Sequence, residues 1–306
     1  MGQVRWDVDD RPPTLWARLY VVGMRGRRDK QAFEGEERTL DTARRQQRKG
    51  DRPPPTLTRA LHRVRTDDIG GMTVWTVRPR RARPRARVVY FHGGGYIHPL
   101  TSDYWRLVRA LVRAPAEVVV PAYPLAPDAT VDDVLPRLLA VVDEARQGDD
   151  LPLTLMGDSA GGALSLVLAQ RLVDTRREPP ARIVALCPWL DATLADPEVA
   201  ALEATDPMLA ESGLRAAGRW WAGGRDPADP LVSPVGLELR GLPPIRLFIG
   251  DQDILRPAVD RLAARAEAEG ATLTVHEVRA MFHVWMTRLL PEARRTRGLL
   301  TALLRE

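Results

Sequence analysis

A serine lies midway along the chain with a glycine two residues to either side, at Gly157, Ser159 and Gly161. A short apolar run, residues 151–156, leads into it, and residues 163–170 continue with good helix formers. Strand, sharp turn and helix are the context of a nucleophile elbow, in which a strained turn lifts the serine hydroxyl above the end of a strand. The strain explains the glycines, because side chains at those positions would crowd the turn. Backbone N–H groups at the start of the following helix favour negative charge. A chance turn would carry the same five residues, so a second element is needed. Residues 92–95 read His-Gly-Gly-Gly after another apolar run. Acyl transfer needs preorganised N–H donors about 3 Å from the developing oxyanion, and consecutive glycines let backbone approach that closely. The expected donors are the amides of Gly94, Gly95 and Ala160. A phosphate-binding P-loop is excluded because no Lys-Ser/Thr follows.

These groups need a scaffold, and the periodicity of the chain supplies one. Residues 72–77, 88–91, 117–120, 151–156, 181–187, 244–249 and 272–278 read as strands. Helical spacing predicts helices over 101–114, 131–146, 258–269 and 291–305, and one after the elbow to about Val173. Strands alternating with helices imply a mostly parallel sheet covered on both faces. The alternation pauses over 188–240, which reads as an insertion with a helix near 209–221. Residues 1–60 are polar and Arg-rich. They are expected to form one or two helices that dock through Trp16, Leu19 and Tyr20, and a further helix is expected from Thr56 to about Val64. The organisation expected is a helical segment over 1–60 and an α/β domain over 61–306, with 188–240 inserted.

Composition narrows the function classes. The chain has 306 residues, 44% hydrophobic and 28% charged, in the range of globular proteins. Its 45 basic and 40 acidic residues are interspersed, and only Lys30 and Lys49 are lysine, so no one-sign field points to nucleic acid. The Arg/Pro stretch at 78–87 carries no aromatic residue and reads as a solvated loop rather than a nucleic-acid contact. Cys187 is the sole cysteine, so neither an intramolecular disulfide nor a cysteine-based metal site is available. The first ten residues have no apolar signal-peptide core, and no apolar run approaches the ~20 residues of a membrane helix. A cytoplasmic protein with a small-molecule partner and no membrane insertion is the expectation, with a homodimer left open.

Three motifs in order, His-Gly-Gly-Gly-Tyr at 92–96, Tyr-Pro-Leu-Ala-Pro-Asp at 123–128 and Gly-Asp-Ser-Ala-Gly-Gly at 157–162, resemble the hormone-sensitive-lipase-like branch of the α/β-hydrolases over roughly residues 70–300. Pro124, Asp128 and Tyr96 depart from that branch's usual Arg, Glu and Trp or Phe. The resemblance implies an α/β-hydrolase fold, a serine carboxylesterase acting on esters of short to medium acyl chain, and no metal or organic cofactor. It also implies a helical cap built from 1–60 and 188–240. An amidase or N-acetyl hydrolase would use the same machinery, and a non-catalytic ligand-binding homologue is a third reading.

In this fold the partners follow the nucleophile in the order acid, then His. Of the five histidines, His62, His92 and His98 precede Ser159. His276 falls inside the strand over 272–278, where it is expected to pack. His283 lies just beyond, and catalytic groups of such sheets sit at strand C-terminal ends. Asp251 and Asp253 both follow the 244–249 strand, and either could orient a histidine. The resemblance favours Asp253, which is followed by Ile-Leu as in the family's loop, and leaves Asp251 as a brace. Asp158, inside the elbow, is expected to be structural. Tyr96 and Trp189 are expected at the substrate pocket.

Overall fold

The computed structural model describes residues 2–148 and 150–305. In chain order the first elements are β1 (Val4–Asp9), α1 (Leu15–Arg27), α2 (Glu36–Gln47), α3 (Thr56–Leu61), β2 (His62–Ile69) and β3 (Met72–Pro79). The regular alternation follows: β4 (Ala86–Phe91), α4 (Tyr104–Val112), β5 (Ala116–Pro121), α5 (Val131–Ala145), β6 (Leu153–Asp158), α6 (Ala160–Asp174) and β7 (Arg182–Leu186). After α7 (Glu198–Glu203) and α8 (Glu211–Ala222) come β8 (Ile245–Gly250), α9 (Arg256–Glu269), β9 (Leu273–Val278) and α10 (Pro291–Leu303). The nine strands form one sheet in the order β1-β9-β8-β7-β6-β4-β5-β3-β2. Only β3 runs antiparallel to its neighbours, β2 and β5.

The central strands are mostly apolar rather than alternating, because both faces are covered. Every residue of β4, β5 and β6 is buried. Glu117, buried in β5, is paired with Arg87 at 2.5 Å and also meets Arg78. Buried charge is tolerated when it is paired in this way. Helix α6 is apolar on nearly all sides, and 12 of its residues are buried against the sheet.

Three expectations are corrected at the N-terminal side. Residues 4–9 are not part of a helical segment. They form edge strand β1, parallel to β9, with Trp6 opposite Val275 and Asp7 opposite His276. The expected helix from Thr56 stops at Leu61, because His62–Ile69 pairs with β3 through a two-residue turn at Gly70 and Gly71, whose φ values are 61° and 73°. That geometry is the one a tight hairpin requires. Helix α1 docks by a different face from the one expected. Ala17 and Met24 are buried, whereas Trp16 is 70% and Leu19 53% exposed. Tyr20 alone of the expected stripe packs inward, stacked on Phe282 at 5.6 Å between ring centroids. In the insertion, α7 adds a short helix that periodicity did not suggest. No helix among the described residues is long and apolar enough to cross a membrane.

Candidate active site

Ser159 stands between the end of β6 and the first residue of α6 with φ 53° and ψ −120°, a conformation L-residues rarely adopt. Strain of this kind persists only where the surroundings over-determine it, and here they do. A Cβ on Gly157 would lie 2.2 Å from the carbonyl oxygen of Gly161, and one on Gly161 would lie 2.0 Å from that of Phe91. The elbow is therefore wedged against β4, and the Ser159 N–H is tied to the Leu186 carbonyl of β7 at 2.8 Å.

The glycine loop after β4 is held to the same elbow. Asp158 Oδ1 accepts the Gly93 N–H at 3.0 Å and the Tyr90 hydroxyl. Burial pushes the Asp158 carboxyl up to about 6. Its role is to tie loop to elbow, in keeping with the structural part expected of it. His92 is held by Tyr123, which stacks on its ring at 4.3 Å and donates its hydroxyl to the His92 carbonyl at 2.6 Å. Gly94 and Gly95 adopt φ values of 107° and 62°. Among the described residues no acceptor meets the amides of Gly94, Gly95 or Ala160, and the two glycines line a cavity together with Ser159.

His283 lines the same cavity. Its Nδ1 is 2.7 Å from Asp253 Oδ2, and both side chains are buried. The second Asp253 oxygen accepts the Leu255 N–H at 3.0 Å, fixing the carboxylate. Burial alone would lower the His283 pKa, but the Asp253 carboxylate outweighs it and the imidazole is held above its usual range. Asp251 is occupied elsewhere: its Oδ1 accepts the Ala280 N–H at 2.6 Å, bracing the turn that carries Phe282 and His283. His276 packs in the sheet, stacked on Phe248 at 4.5 Å.

Asp206, in the insertion, is a further member of the neighbourhood, and no motif in the sequence marked it. It accepts the N–H groups of Met208 and Leu209 at 2.7 and 2.9 Å, and that of Ile254 at 3.1 Å. It thereby joins the insertion to the loop bearing Asp253. Burial and the Asp253 carboxylate push Asp206 up to about 6. Cys187 Sγ lies within 4.8 Å of ligand atoms of Asp253 and His283. Burial raises this thiol well above its usual range, and its sulfur accepts the Val284 N–H at 3.3 Å. A protonated thiol is a poor metal ligand, and the Asp253 and His283 atoms that face each other are already engaged, so the trio reads as packing beneath a carboxylate–imidazole pair.

The cavity measures about 360 Å³. Met24, Phe33 and Thr42 close it from the N-terminal helices, and Met208, Leu209 and Leu214 from the insertion. Tyr96 and Trp189, expected at the pocket, do not line it. They form a buried stack behind it: Tyr96 lies between Trp221 at 4.2 Å and Trp189 at 5.5 Å, and the Trp189 indole N–H is committed to the Asp191 carbonyl. Tyr96 itself adopts a φ of 62°, continuing the left-handed backbone of Gly94 and Gly95.

Comparison with known proteins agrees with this fold. A family profile described as alpha/beta hydrolase fold matches residues 88–287. The chain is 30% identical over 244 residues to an acetyl-hydrolase of Streptomyces hygroscopicus, covering 78% of this chain and 81% of that protein. It is 30% identical over 262 residues to carboxylesterase NlhH of Mycobacterium tuberculosis, covering 80% and 81% respectively. Among solved structures, an esterase from the bacterial hormone-sensitive lipase family superposes with a TM-score of 0.79 at 24% identity over 96% of this chain and 99% of that one. The chain belongs to the α/β-hydrolase-fold family.

Proposed function

We propose that the chain is a serine carboxylesterase working through an acyl-enzyme on Ser159. His283, neutral and oriented by Asp253, takes the Ser159 proton as the hydroxyl attacks the ester carbonyl. The imidazolium then protonates the leaving alcohol. The amides of Gly94, Gly95 and Ala160 receive the oxyanion, and water attacking the acyl-enzyme by the same route releases the acid. Asp253 holds the proton on Nδ1, so that Nε2 is the free acceptor. The observation that carries this reading is the meeting of the strained Ser159 and of His283, itself paired with Asp253 at 2.7 Å, in one cavity walled by the glycine loop. A volume of about 360 Å³ favours short to medium acyl chains. Curated relatives named carboxylesterase and esterase support the class.

A relative named acetyl-hydrolase is in keeping with a small acyl group, and a second reading has the same residues remove such a group from nitrogen. Hydrolysis of p-nitrophenyl esters of increasing chain length against matched anilides separates the two, and a fluorophosphonate should label Ser159 in either case. A protein that binds these esters without turnover and stays unlabelled would be a ligand-binding homologue.

The pH profile is a second check. Below its pKa His283 is a cation and cannot accept the Ser159 proton, and a raised pKa moves that loss to higher pH. The kcat/KM of the free enzyme should therefore rise with pH through a midpoint above the ordinary ~6.5 of histidine and then level off. A rate unchanged down to pH 4 would exclude a histidine base.

A further inference from the structure

Every group named so far in the cavity has a partner or a role except His98. Its backbone closes a tight turn over the glycine loop, with the His98 N–H donating to the Gly94 carbonyl at 2.9 Å. A side chain on Gly94 would stand 2.8 Å from the His98 carbonyl and 3.0 Å from its Cβ, so the loop and this residue are in direct contact. Phe33, from the N-terminal helical segment, meets the imidazole edge-to-face at 5.4 Å and 86°. The ring is held between the N-terminal helical segment and the glycine loop, and the residue lines the same cavity as Ser159 and His283.

Neither ring nitrogen of His98 is exposed, and among the described residues neither has a hydrogen-bond partner. At His62, His92 and His276 only Nε2 is both buried and without a partner among the described residues, and none of these three lines this cavity. A buried polar group without a partner is costly to keep, and each instance calls for an explanation. Burial pushes the His98 imidazole down to about 4, so the ring is neutral wherever His283 can act as a base. A neutral imidazole offers one donor and one acceptor. Those two sites match a hydroxyl, which both donates and accepts, or a carbonyl, which takes the donor. A carboxylate or ammonium group would find no countercharge on it.

We propose that His98 is a specificity-determining residue, hydrogen-bonding a neutral hydroxyl or carbonyl group carried by the ester beside the oxyanion loop; this rests on the ester-hydrolase reading above. The substrate class is then an ester with a polar, uncharged substituent near the scissile bond, rather than a plain alkyl ester.

Matched esters test this. On the acyl side p-nitrophenyl butanoate is compared with the 2- and 3-hydroxybutanoates, and on the alcohol side propyl butanoate with glyceryl monobutanoate, each normalised to its rate in hydroxide. The protein should favour at least one hydroxylated partner in kcat/KM by about tenfold, the value of one neutral hydrogen bond. In His98→Leu that partner's kcat/KM should fall by a similar factor and the alkyl ester's should rise, since no polar ring is then buried by an apolar chain. His98→Gln, which keeps a donor and an acceptor, should retain part of the preference. If His98→Leu does not fold, His98→Phe keeps an aromatic ring against Phe33 and carries the same comparison. Ser159-dependent turnover with no hydroxyl preference in the unsubstituted protein would overturn the His98 assignment and leave the esterase reading standing. A preference that survives both His98→Leu and His98→Phe would overturn it as well. No turnover of any ester would overturn both.

Discussion

Replacing Ser159 by Ala should lower kcat on p-nitrophenyl butanoate by on the order of 10⁵- to 10⁶-fold, and His283→Ala should do nearly the same. The two losses should not add. Once the nucleophile is gone the base has nothing to deprotonate, so the double variant should be no slower than either single one. A residual rate above the uncatalysed reaction is expected, since the amides of Gly94, Gly95 and Ala160 and the cavity walls are untouched. The measurement is steady-state turnover on protein whose thermal unfolding confirms a native fold. Among the described residues the Ser159 side chain makes no hydrogen bond needed by the scaffold, so Ser159→Ala should fold as the native chain does. Turnover within tenfold of normal in folded Ser159→Ala would remove the acyl-enzyme mechanism altogether.

The second large effect separates two aspartates that lie two residues apart. Asp253→Asn should cost about 10⁴-fold in kcat. The asparagine can still accept the Leu255 N–H, so the loop survives. Its amide N–H₂, however, would donate to His283 Nδ1 and move the ring proton to Nε2, leaving no acceptor for the Ser159 hydroxyl. Asp251→Asn should cost less than about tenfold, because the carboxylate serves as an acceptor for the Ala280 N–H and an asparagine oxygen can take that place. Parallel kinetics of the two variants decide the assignment, and a larger loss in folded Asp251→Asn would reverse it. Asp253→Asn should also shift the acid limb of the pH profile downward, because the carboxylate that holds the His283 pKa up is gone.

Much of the fold is legible in the sequence for a local reason. The β4, β5 and β6 runs are apolar at every position, or nearly so, because a strand buried on both faces cannot alternate. The elbow is legible because its constraint is steric and lies within five residues: Gly157 and Gly161 have no room for a Cβ against Phe91 and each other. Two missed strands were also present as signals. Residues 4–9 alternate Val, Trp and Val with charged residues, and Gly70-Gly71 stands between two strands as a hairpin turn. Both lie at edges of the sheet, where polar composition masks the strand pattern.

Sequence alone determined the glycine-flanked turn at Ser159, the glycine loop, the parallel scaffold and the order in which Ser159, the two aspartates and His283 follow one another along the chain. Those follow from local sterics and from a strand's need for burial. Tertiary structure decided which aspartate faces His283, since adjacent β8 and β9 carry two loops of distant sequence to a common edge and only one carboxylate then points at the ring. It decided that α1 buries Ala17 and Met24 while Trp16 and Leu19 face outward. It placed Tyr96 and Trp189 in a stack behind the cavity and put His98 at its wall. In each of these cases the side chain's surroundings are supplied by residues far away in the chain, and spacing along one segment carries no information about which of its faces a remote element will cover.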